Sequence, residues 1–198
     1  MTRVKLDNTM SMFRPDLKLI VAAAAVVVSF SLPLAGQESP DTGIDGLFER
    51  LKTADDVDSA RIEREIRMSW AQSGSPAMDL LLKRGRKAME DKDYPVAIEH
   101  FTALTDHAPD FAEGWYERAQ ALAFTGRIGP AIDDLEHALA LNPRHFEAMF
   151  GLGTIFEQIE RNDAAYDAYR LVLDLFPHHE EAQQRLKRLE KDVNGVEL

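Results

Sequence analysis

The sequence predicts an all-α fold, an array of three helical hairpins, and three observations carry that expectation. Pro109, Pro143 and Pro177 stand at a constant spacing of 34 residues, a period that marks a helical repeat. The prolines divide the chain into repeats 78–111, 112–145 and 146–179. Within each repeat two positions are always small: Gly85, Ala119 and Gly153 at the first, Ala97, Ala131 and Ala165 at the second. Large apolar residues surround them, with Leu81, Trp115 and Met149 early in the first helix and Phe101, Leu135 and Tyr169 in the second. Small beside large is what two closely crossing helices require. Each second helix ends before its proline, which cannot continue a helix and biases the preceding residue away from helical angles.

The middle repeat, FAEGWYERAQALAFTGRIGPAIDDLEHALALNP, is the clearest copy. With an aromatic, a glycine, a tyrosine, an alanine, a large apolar residue and a proline at set offsets, this segment resembles the tetratricopeptide repeat (TPR) family over residues 78–179. The resemblance implies a right-handed superhelix whose first helices line a concave groove for proteins or peptides. Arg84 and Arg118 depart from the pattern, standing where leucine is usual, and Ala88 stands where an aromatic is usual.

The two ends of the array differ. Residues 1–36 read as a signal peptide or signal anchor, 37–43 as a linker, and 44–75 as an amino-terminal helical cap preceding the repeat domain at 76–179. In the cap, Ile44, Leu47, Phe48 and Leu51 recur at helical spacing. A second helix is expected from about Val57 to Gln72, with Ile62, Ile66 and Trp70 on one side, before SGSP breaks it. This pair lacks the small crossing residues, and its charged ERLK and ARIEREIR segments suit the polar outer face of a solenoid end. A separate docking hairpin is the alternative. Residues 180–198 form a closing helix and tail: Gln183 and Lys187 replace the large and small residues, so no further repeat can stack, while Leu186 and Leu189 cover repeat three.

Arg14 and Lys18 precede an uncharged run from Leu19 to Gly36, which is broken by Pro33 and followed by polar QESPDTG. That is the layout of an export leader cleaved after Ala35 or Gly36. An uncleaved anchor in the inner membrane is the alternative, since the run approaches the length of a membrane span. Either outcome carries the repeats across the membrane, because the basic flank stays cytoplasmic. Met1, Met10 and Met12 are all possible starts. The 198-residue chain has 23 basic and 34 acidic residues; the leader takes four basic and two acidic with it, leaving 19 and 32, a net charge of −13. Such a surface repels nucleic acid. The absence of cysteine excludes disulfides, thiol catalysis and thiolate metal sites.

The second, fifth, ninth and twelfth to thirteenth residues of each first helix face the groove in the resembled family. Here these give an apolar ladder of Leu82, Tyr116 and Phe150, then Arg86, Gln120 and Thr154, then Met89 and Phe124. Apolar rungs beside polar groups suit a peptide with apolar anchors. The cluster of lysines and asparagines with which some members clamp a terminal carboxylate is missing, its positions being Leu82, Arg86 and Glu117. No metal, cofactor or small-molecule substrate is expected. His178 and His179 are adjacent and diverge, His100 and His107 lack a ligand pattern, and His137 and His145 fall at helix ends or turns, where a charged imidazole suits the carbonyl end. Asp133 and Asp134 read as a solvated outer face, and no nucleophile motif is present. The expected function is a non-enzymatic adaptor or assembly factor in the bacterial envelope. The alternative is a membrane-anchored accessory subunit of an envelope enzyme or transport complex.

Overall fold

A computed structural model describes residues 43–194, which fall within one compact unit. The leader, its cleavage site and the alternative starts lie outside the described residues, as does most of the linker. The described residues are helical with no strand: α1 Ile44–Thr53, α2 Asp56–Trp70, α3 Pro76–Glu90, α4 Tyr94–His107, α5 Ala112–Phe124, α6 Ile128–Leu141, α7 Phe146–Gln158, α8 Asn162–Leu175 and α9 Glu180–Asn194. None of these helices is long and apolar enough to cross a membrane. The pairs α3–α4, α5–α6 and α7–α8 are the three repeats.

Local chemistry sets the helix starts. At α2 the Asp55 carboxylate accepts the Val57 and Asp58 N–H groups, and at α3 Pro76 opens the helix while Asp79 accepts from the Ser73 backbone N–H and hydroxyl. His145 and His179, one repeat apart, do the same for α7 and α9, their Nδ1 atoms accepting the N–H of Ala148 and Ala182 at 3.3 and 3.2 Å. His145 therefore sits at the amino end of a helix, not the carbonyl end, and accepts with the nitrogen that a charged ring would have protonated. The turn inside each repeat passes through a left-handed residue at the same phase: Lys92, Gly126 and Glu160, with φ of 60°, 74° and 61°. Only the middle repeat places glycine there, where glycine carries no steric cost. Between repeats, the Trp115 indole N–H donates to the Pro109 carbonyl at 2.8 Å. Gln183 donates to the Pro177 carbonyl at 2.6 Å from the matching position, so it closes the loop although it is not apolar.

The small positions are close crossings. A Cβ on Gly85 would stand 2.3 Å from Phe101 Cε1, and one on Gly153 would stand 2.6 Å from Tyr169 Cε1. Repeat two solves the same crossing with Ala119 and Leu135, trading a smaller partner for a methyl group. Arg118 and Asp134 pair across the same hairpin through two hydrogen bonds, 2.6 and 2.7 Å, and Arg118 also donates to the Thr105 hydroxyl at 2.9 Å. Asp134 is consequently buried and ion-paired, while Asp133 alone is solvated. This corrects the reading of the two as one outer-face pair.

The α1–α2 hairpin also departs from expectation. Its apolar face does not stack on repeat one as an amino-terminal cap. Leu47, Phe48, Leu51, Ile62, Ile66 and Trp70 share one core with Phe146, Tyr169, Val172 and Phe176 of repeat three and with Ala182 and Leu189 of α9. Trp70 lies 4.3 Å from the His145 ring and 4.9 Å from Phe146, and Phe48 meets Phe146 edge-on at 6.3 Å. Ion pairs join the same surfaces, Asp45 with Arg144 and Arg67 with Glu147, and the Asp56 carboxylate meets His178 Nδ1 at 2.6 Å. The hairpin thus reaches across the face formed by the first helices.

Candidate functional site

Spacing on two neighbouring helices builds the open part of the concave face. Tyr116, Gln120 and Phe124 succeed one another at four-residue steps along α5, and Phe150, Thr154 and Gln158 do so along α7, so each set forms one stripe. Between the stripes runs a groove of about 390 Å³, floored by Ala119, Ala123, Leu135, Gly151 and Ile155. Gly151 keeps the floor low: a Cβ there would already touch Leu135 at 3.4 Å.

The side chains lining the groove differ in how much they offer. Phe124 is 63% exposed and stacks on Tyr94 with ring centres 5.0 Å apart and planes 3° from parallel. Phe150 is half-buried between Tyr169 and His179, at 5.4 and 4.9 Å. Thr154 Oγ1 donates to the Phe150 carbonyl and accepts from the Tyr169 hydroxyl at 3.4 Å, and Gln120 donates to Glu117 at 3.4 Å. Tyr116 is largely buried, its ring 4.6 Å from His145, and burial raises its phenol pKa, with Glu117 and Glu113 adding to the effect. Leu82 does not join the groove. At 3% exposure it belongs to the core of repeat one with Phe101 and Leu104, against which Ala71 at the end of α2 also packs. The apolar ladder read from the sequence therefore loses its first rung.

Beyond Tyr116 the groove meets a second cavity of about 450 Å³, walled by Arg67, Met68 and Ala71 at the end of α2 and by Arg86 and Met89 of α3. Arg86 is not a free groove cation. Its guanidinium donates to both Glu113 and Glu117, which are themselves buried. Burial alone would lower the Arg86 pKa, but the two glutamates outweigh it and the net shift is upward. Glu117 is displaced upward as well, mainly by burial and further by Glu113, against the pull of Arg86. Glu113 also meets His145 Nε2 at 3.1 Å; since His145 Nδ1 accepts from Ala148, Nε2 carries the proton that Glu113 receives. The face is thus a continuous trough with an apolar end at Phe124 and Phe150 and a charged end at Arg86.

Sequence reasoning missed Glu113, His145 and Glu147 here, and with them the α2 residues Arg67 and Met68. Glu113 and Glu117, four apart on α5, the first helix of the repeat after the one that holds Arg86, were the available signal. The α2 contribution had none, because no repeat phase leads to it. Among the described residues no group of histidines and carboxylates is arranged to hold a metal ion.

Comparison with known proteins agrees with this architecture. The tetratricopeptide repeat family profile matches residues 82–132 and 124–180. A TPR repeat-containing protein of Rhizobium etli is 34% identical over 158 residues, covering 79% of this chain and 78% of that protein. A match of that length cannot be confined to the repeats and runs through the α1–α2 hairpin. The small glutamine-rich TPR-containing protein 2 of Saccharomyces cerevisiae is 30% identical over 66% of this chain, which spans only 37% of that relative. Among solved structures, the Sgt2 TPR domain of Aspergillus fumigatus superposes with a TM-score of 0.58 at 23% identity, covering 62% of this chain and 82% of that one. The first TPR of Spaghetti (RPAP3), solved with the HSP90 peptide SRMEEVD, superposes with a TM-score of 0.57 at 25% identity, covering 59% and 93%.

Proposed function

The chain belongs to the tetratricopeptide repeat family, and from that premise we propose that it is a non-enzymatic adaptor of the bacterial envelope that holds a peptide segment of a partner protein in the α5–α7 groove. One observation carries the reading. Phe124 and Phe150 stand at the groove's rims above a floor of small and aliphatic residues, with Gln120, Thr154 and Gln158 beside them. Apolar anchors with nearby amide and hydroxyl groups match an extended peptide, whose side chains need pockets and whose backbone needs hydrogen-bond partners. Work outside the cytoplasm is supported by the basic flank, apolar run and polar exit of residues 1–36.

The solved neighbour with an SRMEEVD peptide holds an acidic ligand. Among the described residues lining the α5–α7 groove and the cavity beside it, the two arginines are already engaged, Arg86 by Glu113 and Glu117 and Arg67 by Glu147. Its ligand is accordingly of a different chemistry, anchored by apolar side chains.

Crosslinking capture from intact cells tests the groove. Phe124→Ala with Phe150→Ala should abolish capture and leave helicity unchanged, whereas Asp133→Ala with Glu136→Ala on the solvated side of α6 should leave capture intact. Tyr116 is a poor choice for this purpose because its ring is part of the packing around His145. If the α6 pair removed capture and the groove pair did not, the binding surface would lie on the convex side. Location is tested separately by mass spectrometry of the amino terminus. Loss of roughly 35 residues is expected, and an intact terminus in the soluble cytoplasmic fraction would refute export.

A further inference from the structure

The concave face is divided by the hairpin. Because α2 lies across its first half, the cavity beside Arg86 is a slot with two walls, one from the array and one from α2. It shares Tyr116, Gln120 and Glu147 with the α5–α7 groove, so an extended chain lying along Phe124 and Phe150 continues directly into it. Met68 stands 60% exposed on the α2 wall with half-buried Met89 across from it, two flexible side chains able to pack along an aliphatic stem.

The charges in the slot are unequal. Glu90, Glu113, Glu117 and Glu147 face it, against Arg67 and Arg86. Both arginines are already bound, Arg86 by Glu113 and Glu117 and Arg67 by Glu147. Lys87 comes within 3.7 Å of Glu90, but its shorter pair is with Asp91 at 2.7 Å. A ligand carboxylate entering the slot would therefore find no cation to receive it, and would meet two carboxylates in excess. A ligand cation would complete the balance. Burial, with Glu113 adding to it, holds the Glu117 carboxyl above its ordinary pKa despite the contact with Arg86.

We propose that the slot seats a lysine or arginine side chain of the bound peptide, the aliphatic stem against Met68 and Met89 and the charged head among Glu90, Glu117 and Glu147, while the adjoining apolar residues of that peptide occupy the α5–α7 groove. The proposal rests on the peptide-groove reading and adds its charge selectivity. It also makes the hairpin a working part of the site, since one wall of the slot is α2.

Selection from a randomised dodecapeptide display library against the full-length protein tests it. Peptides combining aromatic or aliphatic residues with lysine or arginine should be enriched. For the best of them, replacing its basic residue by glutamine should weaken binding about tenfold at low ionic strength, with the difference shrinking as salt is raised. Glu117→Gln, which keeps the shape of the side chain, should remove most of that tenfold discrimination. Glu90→Gln, on an exposed side chain, should reduce it and guards against a loss of fold at the buried site. Met68→Ala should weaken the basic peptide and spare the glutamine version. Enrichment of apolar peptides with no basic preference, or with an acidic one, would overturn the proposal and leave the groove reading standing. Discrimination unchanged in both glutamate variants would overturn it as well. Failure to select any peptide would remove the groove reading and the proposal with it.

Discussion

Exchanging the crossing of repeat one for that of repeat two is the most direct test of how this array packs. Gly85→Ala adds a methyl group whose carbon would stand 2.3 Å from Phe101 Cε1 and 2.6 Å from Cδ1 and Cζ, in a hairpin where the ring is fully buried. Ordinary contact needs roughly 3.5 Å or more, so the ring or the helix must shift by about an ångström. Overpacking of this kind costs about 1–3 kcal/mol. Alanine in a helix interior recovers roughly 1 kcal/mol relative to glycine, leaving a net loss of up to about 2 kcal/mol. Phe101→Leu alone empties part of the same space, at about 1–2 kcal/mol. Together the two changes recreate Ala119 over Leu135, and overlap and void cancel. The double variant should melt close to wild type, while each single variant melts several degrees lower, at roughly 2–4 °C per kcal/mol for a unit of this size. Urea denaturation of all four proteins gives the coupling energy, expected at about 2 kcal/mol. Additive single effects, with coupling below about 0.5 kcal/mol, would show that the glycine is not there to admit the ring.

Other outcomes follow from the same packing. Lys92→Gly and Glu160→Gly relieve left-handed backbone at the phase where repeat two already has Gly126, and each should raise the urea midpoint by an amount equivalent to about 0.5–1 kcal/mol; an unchanged or lower midpoint would mean that the turns are not strained. Arg118→Met leaves Asp134 buried without its cation and should cost about 3 kcal/mol, with Arg118→Met plus Asp134→Leu recovering most of it; a double variant as unstable as the single one would contradict the pairing. His179 is held below its usual pKa of 6.5, chiefly by burial, so the folded protein favours the neutral ring. Its contribution is fully present above about pH 6.5 and is lost as pH falls towards the folded-state value, because the unfolded chain takes up the proton first. His179→Asn, which keeps an acceptor for Ala182, should flatten that part of the stability–pH curve; an unaltered slope would place the titrating group elsewhere.

What could be read from the sequence was what repeats. The 34-residue proline spacing and the small positions are local, periodic signals, and they place α3 through α8 and the crossings at Gly85 and Gly153. The same phase carries information that was legible but not used. His145 and His179 are one repeat apart and cap α7 and α9, and Lys92, Gly126 and Glu160 mark one turn conformation. Arg118 looked like one of two departures, with Arg84, and Asp134 like half of a solvated acidic pair with Asp133. Arg118 and Asp134 are sixteen residues apart, the offset that also joins Gly85 to Phe101, and that offset predicts their contact. Leu82 shows a different limit. Its position in the helix marks the concave side, but nothing in the phase says that the end of α2 covers it. The hairpin's docking was illegible for the same reason: amphipathic spacing shows that Phe48, Ile62 and Trp70 lie on one face, and says nothing of which distant surface that face meets.

That docking also bears on the proposed site. The hairpin places several large side chains, among them Phe48, Leu51, Ile66 and Trp70, in the core of repeat three and α9. At about 1.5–3 kcal/mol for each fully buried side chain, such burial amounts to on the order of 10 kcal/mol, an upper estimate because the same residues also pack on one another. A micromolar peptide releases about 8 kcal/mol in total, and could not displace the hairpin and still bind. One polar group is out of place in this core, the buried Trp70 indole N–H, which finds no acceptor among the described residues. Its cost, about 1–3 kcal/mol, is small beside the apolar gain. The hairpin is therefore a fixed wall, and a ligand of the proposed site would have to fit the space that α2 leaves open. A fixed wall lowers the ordering cost of binding, since Met68 and Arg67 are already positioned on a packed helix before any ligand arrives. On the proposed reading, selectivity would then arise from the shape and charge of a preformed slot, and the hairpin that sequence reading assigned to the amino-terminal end of the array would form one wall of the surface that chooses the partner.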